Sequence, residues 1–220
     1  MIKGFIFDLD GTLADTIDDI GWAVNRMLSS HGFPLLERKD HLANINNGAF
    51  QLIRRSLPEE HRESEDFVRS CLSEYEAKYA EHYIIDTYAY AGIPEILCKL
   101  SHAGYSLAVL SNKQDKFVKD IVSELFPNIP FAEARGQTEL PTKPNPTSAL
   151  VLAEKMNLAP KEIAFVGDSQ VDIRTAINAG MYPVGVTWGY RPKELLVAEG
   201  ARLTVDTPDQ LINLLAKGDS

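Results

Sequence analysis

Two aspartates, Asp8 and Asp10, stand at the end of an apolar run from Ile2 to Phe7 and are followed by Gly11, Thr12 and Leu13. The run reads as a buried strand. Side chains two apart on a strand share a face, so a strand continuing through Asp10 would project both carboxylates from its C-terminal end. Two carboxylates about 4 Å apart repel by roughly 4 kcal/mol at an effective dielectric of about 20. A fold keeps such a pair where a cation, a proton or bulk water relieves it. The plainer alternative is a strand ending in an acidic, solvated turn, for which Asp and Gly are ordinary residues. Two more apolar runs end in polar clusters: Tyr105–Leu110 in Ser111-Asn112-Lys113, and Ile163–Val166 in Gly167-Asp168-Ser169, with Asp172 close behind.

The elements that must carry these residues follow from hydrophobic spacing. The strands are expected over Ile2–Asp8, Tyr105–Leu110, Phe131–Ala134, Ile163–Val166, Pro183–Val186 and Leu203–Val205. Helices are expected from about Thr16, with Asp15 or Thr16 as the cap and Gly32 as the stop. Others follow over Gly92–His102, Lys116–Leu125, Thr147–Met156, Val171–Ala179, Pro192–Glu199 and Pro208–Ala216. Between Asp40 and Tyr83 there is helical spacing and no strand signal, broken by the turn Asn46-Asn47-Gly48 and by Pro58. Strands alternating with helices imply an α/β fold, a doubly wound and mostly parallel sheet with helices on both faces, here carrying an all-helical insert. The expected division is a core domain of residues 1–15 and 87–220 and a helical cap domain of 16–86. In such sheets ligands bind beyond the carboxyl ends of the strands, where the strand order reverses. With the order 3-2-1-4-5-6 that reversal brings Asp8 and Asp168 together, which an isolated acidic turn does not predict.

Composition narrows the partners. The chain has 220 residues, 22 basic against 31 acidic side chains, and a net charge of −9. This argues against a broad nucleic-acid surface or binding to an anionic membrane, both of which need clustered cations. Cys71 and Cys98 are too few for a disulfide framework or a metal knuckle and read as buried apolar fillers. No apolar run reaches the length of a membrane span, and the N-terminal residues lack the pattern of a secretory leader, so the expected location is cytoplasmic.

Asp8-Leu9-Asp10-Gly11-Thr12, then Ser111 at a strand end, then Lys143-Pro144, then Gly167-Asp168-Ser169-Gln170-Val171-Asp172 occur in the order of the four motifs of the haloacid-dehalogenase-like superfamily, which the chain resembles over essentially its whole length. The resemblance implies a Rossmann-like core and phosphoryl chemistry. It makes Asp8 the nucleophile of an aspartyl-phosphate intermediate and Asp10 the general acid/base. It implies Mg²⁺ as cofactor, held by Asp8 and Asp168 with the main-chain carbonyl of Asp10, while Asp172 orients a metal-bound water or Lys143. Lys143 would neutralise the transferring phosphoryl group and Ser111 would hydrogen-bond it. Asn112 would offer a backbone N–H to the phosphate. Lys113 points to substrate or solvent, and Thr12 donates to Asp8 or to the following helix start. Asp10 stands where the true dehalogenases carry an aromatic residue, which favours phosphate esters over dehalogenation.

Asn47-Gly48-Ala49 with Leu52, Arg55 and Leu57, and the stretch Gly185-Val186-Thr187-Trp188-Gly189-Tyr190, resemble the phosphoglycolate-phosphatase branch. The branch carries glycine before the Asn-Gly pair, where this chain has Asn46. The implied activity is hydrolysis of a small phosphomonoester such as phosphoglycolate, with Asn47, Gly48 and Arg55 reading the leaving group. Arg54 and Arg55 read equally as a solvated basic face. A phosphosugar mutase of the β-phosphoglucomutase type, a pyrophosphatase, and an inactive module that binds a phosphometabolite are the alternatives. The partner is a small phosphorylated metabolite, and the protein a monomer or homodimer.

Overall fold

In the computed structural model, which describes residues 1–214, a strand of only four residues, β1 (Gly4–Phe7), lies near the middle of the sheet and is buried throughout. Its brevity is compensated by burial on both faces, as parallel sheets require. Phe5 and Phe7 share one face and stack at 5.9 Å, with the Tyr105 ring edge-on to Phe5. Ile6 faces the other way and packs with Ala108, Leu110, Phe165, Leu152 and Ala176.

Around β1 the chain adds the short strands β2 (Ala14–Asp15) and β3 (Tyr88–Ala89), then β4 (Ser106–Gln114), β5 (Phe131–Gln137), β6 (Ile163–Gly167), β7 (Tyr182–Val186) and β8 (Leu203–Val205). The main sheet has six strands in the order β5-β4-β1-β6-β7-β8, paired in parallel throughout. Counting only its own strands, this is 3-2-1-4-5-6, with the reversal at β1. Strands β2 and β3 pair with each other. The helices are α1 (Ile17–Ser30), α2 (Arg38–Asn44), α3 (Ala49–Ser56), α4 (Glu65–His82), α5 (Ile93–His102), α6 (Asp115–Leu125), α7 (Thr147–Lys155), α8 (Gln170–Asn178) and α9 (Lys193–Glu199). Pro208–Leu214 forms a 3₁₀ turn rather than the expected α-helix, whose last two residues, 215 and 216, lie outside the described residues.

Two strands differ from expectation in a way that matters. β1 stops at Phe7, short of Asp8 and Asp10. The chain then folds about one carbonyl: Leu9 C=O accepts the N–H groups of Thr12, Leu13 and Ala14 at 3.2, 3.0 and 3.0 Å, while Leu9 and Leu13 are fully buried anchors. Asp8 and Asp10 therefore do not project in parallel from a strand. β4, in contrast, runs four residues beyond Leu110, so Ser111 and Lys113 are strand residues on one face.

By internal packing the described chain divides into two units, Met1–Ala14 with the chain from Ala89 onward, and Asp15–Tyr88. The second is all-helical apart from its end residues, with α1 packed on α4 and α2 and with α3 on α4. Its core holds Ile20, Val24, Met27, Leu28, Leu52, Ile53, Val68, Tyr75 and Tyr79. Thr16 is the N-cap residue of α1, its C=O accepting Ile20 N–H at 3.1 Å, and Asp15 Oδ1 accepts Ile17 N–H at 3.3 Å. Asp19, fully buried in the first turn of α1, accepts Asp86 N–H at 3.0 Å and pairs with His82 at 2.9 Å, and Trp22 stacks on the His82 ring. Cys71 is buried, and burial, aided by the charge of Glu74, pushes its thiol up to about 11. Cys98 is exposed on α5 and is not the core filler its type implied. Among the described residues no helix is long and apolar enough to cross a membrane.

His41 of α2 is 3% exposed, and its ring lies so close to Gly21 that a Cβ there would stand 2.6 Å from it. Its Nδ1 has no hydrogen-bond partner. Burial lowers its pKa from 6.5, outweighing the opposing pull of Asp40, the Leu36 carbonyl and Asp18. Below about pH 6.5 the unfolded chain therefore takes up a proton that the folded chain resists, and stability falls as pH drops from there toward the folded value. The thermal midpoint should fall more steeply with acid in the wild type than in His41→Met, by at most about 1.4 kcal/mol of stability for each pH unit crossed. Equal slopes in parallel thermal melts would refute this account of the histidine.

Candidate active site

The carboxyl ends of β1, β4 and β6 bring together Asp8, Asp10, Ser111, Asn112, Lys113, Asp168 and Asp172, and Lys143 enters from the segment between β5 and α7. At the centre is the Lys143 ammonium, 2.8 Å from Asp8 Oδ1 and 2.6 Å from Asp172 Oδ1, all three side chains being buried. Each member is held by its own element. Asp8 Oδ1 also accepts Leu9 N–H at 2.7 Å. Asp172, in the first turn of α8, accepts Ser169 N–H at 3.1 Å and Ser169 Oγ–H at 2.6 Å on Oδ2, a reciprocal cap that fixes the carboxylate. The main chain of Lys143 is clamped from both sides by Asn112, whose Nδ2 donates to Lys143 C=O at 2.9 Å and whose Oδ1 accepts Lys143 N–H at 2.8 Å. The Asn112 side chain thus positions the lysine segment, a task the sequence did not assign to it.

Asp168 sits beside this group. Its Oδ2 accepts Tyr190 N–H at 2.7 Å and its Oδ1 accepts Thr12 Oγ–H at 3.4 Å. Thr12 donates neither to Asp8 nor to the helix start; its hydroxyl is turned toward β6. Its carbonyl accepts the Trp188 indole N–H at 3.0 Å. The stretch Trp188-Gly189-Tyr190, noted in the sequence without a role, is therefore a strap that binds the Asp10–Thr12 loop and Asp168 together. Backbone approach is tight here: a Cβ on Gly189 would lie 2.3 Å from Asp168 Cβ and from Gly11 C=O, and one on Gly11, at φ +84°, would lie 2.5 Å from Asp168 Oδ2.

Asp10 is turned to a separate pair of partners. Lys113 Nζ lies 2.6 Å from its Oδ1, and Ser111 Oγ–H donates to its Oδ2 at 3.3 Å. Lys113 thus points to Asp10, an orientation the sequence left open between substrate and solvent. Both side chains reach Asp10 from the end of β4, where the pairing with β5 is irregular between Leu110 and Gln114.

Electrostatics set what the site can hold. Burial first, then the charge of Asp172, pushes Asp8 well above the usual carboxylate range against the pull of Lys143, with Asp168 and Asp10 adding to the rise. Burial and Asp172 push Asp168 up to about 7 against the Tyr190 N–H, Lys143 and Arg191. Burial disfavours the Lys143 ammonium, but Asp172 and Asp8 outweigh it and hold the proton more firmly than usual. Ligand oxygens of Asp8, Asp168 and Asp172 all lie within 4.8 Å of one another. Three buried carboxylates with one ammonium between two of them leave an excess negative charge, and hard oxygen donors at this spacing suit a small divalent cation such as Mg²⁺. With Asp172 committed to Lys143 and Ser169, the side chains left for an ion are those of Asp8 and Asp168.

Asn47, Gly48 and Arg55 belong to the helical unit. Gly48 (φ +83°) precedes α3, Asn46 and Asn47 have φ of 143° and 64°, and Arg55 Nη1 donates to the carbonyls of Asn44 and Asn46 at 3.1 and 3.2 Å. Arg55 is thus committed to bracing this turn, while Arg54 pairs with Glu63 on the surface. The positive φ of Asn46 is a conformation glycine adopts freely, which accounts physically for the branch's preference at that position.

The family model for haloacid dehalogenase-like hydrolases matches residues 5–186. The chain belongs to the haloacid dehalogenase-like hydrolase family. It is 30% identical to the phosphoglycolate phosphatase of Vibrio parahaemolyticus, covering 98% of this chain and 96% of the relative, and 33% identical to that of Vibrio vulnificus strain CMCP6, covering 97% and 96%. Among solved structures, a predicted phosphoglycolate phosphatase from Haemophilus somnus 129Pt superimposes with a TM-score of 0.88 at 30% identity, over 97% of this chain and 98% of that one. These likenesses make the chain an enzyme of the phosphatase kind within the family.

The strap supplies a direct test. Gly189→Ala should lower stability by about 1–3 kcal/mol in urea titrations, because the methyl group meets backbone and an immobile Asp168 rather than a flexible side-chain end. A change under about 0.5 kcal/mol would show that the contact relaxes freely.

Proposed function

We propose that this protein is a Mg²⁺-dependent phosphatase that hydrolyses a small anionic phosphomonoester, phosphoglycolate or a close analogue, through an aspartyl-phosphate on Asp8. The observation that carries the reading is the buried constellation of Asp8, Lys143, Asp172 and Asp168, with Asp10 held apart from it by different partners. The names of the relatives supply the substrate class.

Asp8 Oδ1 is engaged by Leu9 N–H and Lys143, so Oδ2 is the attacking atom. Attack forms the bond from Oδ2 to phosphorus as the ester P–O bond breaks, and Asp10 gives its proton to the departing oxygen. In the second half a water oxygen bonds to phosphorus, Asp10 takes the water proton, and the bond to Asp8 breaks to restore the carboxylate. Lys143 and Ser111 lie where charge on the transferring group accumulates and stabilise it. Asp8 and Asp168 would hold Mg²⁺ with the Asp10 carbonyl, and the ion would supply the positive charge that keeps both carboxylates ionised and screens the phosphoryl oxygens. Burial and neighbouring carboxylates raise the Asp8 pKa, and a cation at this place would favour its ionised form. The helical unit is assigned the role of cap, choosing the leaving group through the Asn46-Asn47-Gly48 turn, with Asn47 and Gly48 as readers and Arg55 acting by bracing them.

Phosphate release from a panel of monoesters tests the reading. Phosphoglycolate should be cleaved with Mg²⁺, EDTA should abolish release and Mg²⁺ restore it, and Asp8→Asn should lower kcat by at least about 10³-fold while remaining folded. Sugar-phosphate isomerisation with little phosphate release, or undiminished turnover in Asp8→Asn, would overturn it.

A further inference from the structure

Lys143 rides on an irregular segment that leaves β5 at Gln137 and enters α7 at Thr147. A long, rotamer-rich side chain reaches a fixed point from such a segment only where its main chain is held. Two asparagines from different elements hold it. Asn112, near the end of β4, exchanges two hydrogen bonds with the Lys143 main chain at 2.9 and 2.8 Å. Asn178, the last residue of α8, donates from Nδ2 to Pro144 C=O at 3.0 Å. The proline ring fixes φ, so Pro144 passes this hold to its neighbour with little slack. The same helix carries Asp172 in its first turn, with Oδ1 2.6 Å from the Lys143 ammonium. Asp172 and Asn178 stand six residues apart, which separates them by about 9 Å along the helix axis. Helix α8 thus fixes the lysine at both ends: the buried ammonium at its N-terminal turn, and the adjoining peptide at its C-terminal turn.

We propose that Asn178 is a positioning residue for Lys143, fixing the Pro144 carbonyl so that the ammonium stands aligned with the phosphoryl group before transfer begins. The inference rests on the phosphatase reading. As Asp8 Oδ2 bonds to phosphorus and the ester P–O bond breaks, charge shifts among the phosphoryl oxygens, and Lys143 stabilises it best from a preset place. In the second half the water oxygen bonds to the same phosphorus and the bond to Asp8 breaks, and the same ammonium serves again. Both halves therefore depend on its alignment, whichever of them limits turnover. Asn178 is exposed and acts through the main chain of its neighbour, at the opposite end of α8 from Asp172.

Kinetics on two esters separate this role from a structural or leaving-group one. The Mg²⁺-loaded wild type is compared with Asn178→Leu, which removes the donor, and Asn178→Asp, which keeps the shape without a donor. The substrates are phosphoglycolate and p-nitrophenyl phosphate, the inhibitor is orthovanadate, and urea titration follows stability. In both variants kcat should fall about 3- to 10-fold on both esters, the worth of one neutral hydrogen bond expressed in the transition state, with KM changed by less than about twofold. The inhibition constant of orthovanadate, whose oxygens take the places of the transferring group, should rise by a similar factor. The urea midpoint should stay at the wild-type value, since the substituted side chain is exposed. A loss on one ester alone, a rise in KM without a fall in kcat, an unchanged orthovanadate constant, or a lower urea midpoint with kcat intact would each overturn the assignment. A wild type that releases phosphate from neither ester would instead remove the phosphatase reading, and this inference with it.

Discussion

The Lys143 ammonium between Asp8 and Asp172 is the contact on which the site depends. A buried cation and buried anions are each expensive alone, and removing one partner from such a group typically costs about 3–5 kcal/mol because it strands the remaining charge. Satisfying them requires several elements at once: the end of β1 for Asp8, the first turn of α8 for Asp172, and the extended end of β4, which supplies Asn112 to clamp the main chain of Lys143. Distant segments are thereby committed to one geometry. Asp8 and Asp172 already outnumber the one ammonium, and Asp168 lies beside the group with its carboxyl pushed up to about 7 by burial and Asp172. The same burial that holds the scaffold together thus creates the demand for a cation.

The parallel sheet makes this arrangement possible. Each strand delivers its C-terminal end to one edge, and each crossover helix begins there, so first-turn positions such as Asp172 and loop positions such as Asp8 and Tyr190 come within reach of each other. β1 needs only four residues because neighbours cover it on both edges and both faces. The strap after β7 then closes over the loop from β1. Its contacts include two N–H donors and a closely approaching glycine backbone, groups that fix position.

The sheet order, the helical insert and the cluster of Asp8, Asp10, Ser111 and Asp168 were legible because apolar runs ended at polar residues, while Lys143 and the role of Asp172 came from the motif order of the family that the chain resembles. What escaped was governed by local backbone geometry and by distant partners. Asp8 and Asp10 looked like a parallel pair because a period of two was carried past Phe7, whereas the loop coils about the Leu9 carbonyl instead. β4 looked shorter than it is because Ser111-Asn112-Lys113-Gln114 is polar; its pairing with β5 is irregular after Leu110 and resumes at Gln114 opposite Gln137. Asn112 and Trp188 gave no signal of their targets, since a side chain that holds a main-chain group 31 or 176 residues away leaves no local pattern. Asn46 stood out as a departure, but only its backbone angle says why glycine suits that place.

The division between Asp8 and Asp10 then follows from which lysine each meets. Asp8 shares Lys143 with Asp172 in a buried place beside Asp168, where Asp172, Asp168 and Asp10 press on it and the oxygen donors suit a divalent ion. Asp10, in a more exposed place, meets Lys113 at 2.6 Å. A nucleophile needs a charge that is neutralised without being protonated, and a metal site provides that. In the proposed mechanism Asp10 gives and takes a proton, and the ammonium beside it helps to orient its carboxyl. Two identical side chains two residues apart would then serve in sequence because the loop between them turns each toward a different lysine. Turning that loop into a regular strand would return them to one face and one environment, and would erase the distinction between them.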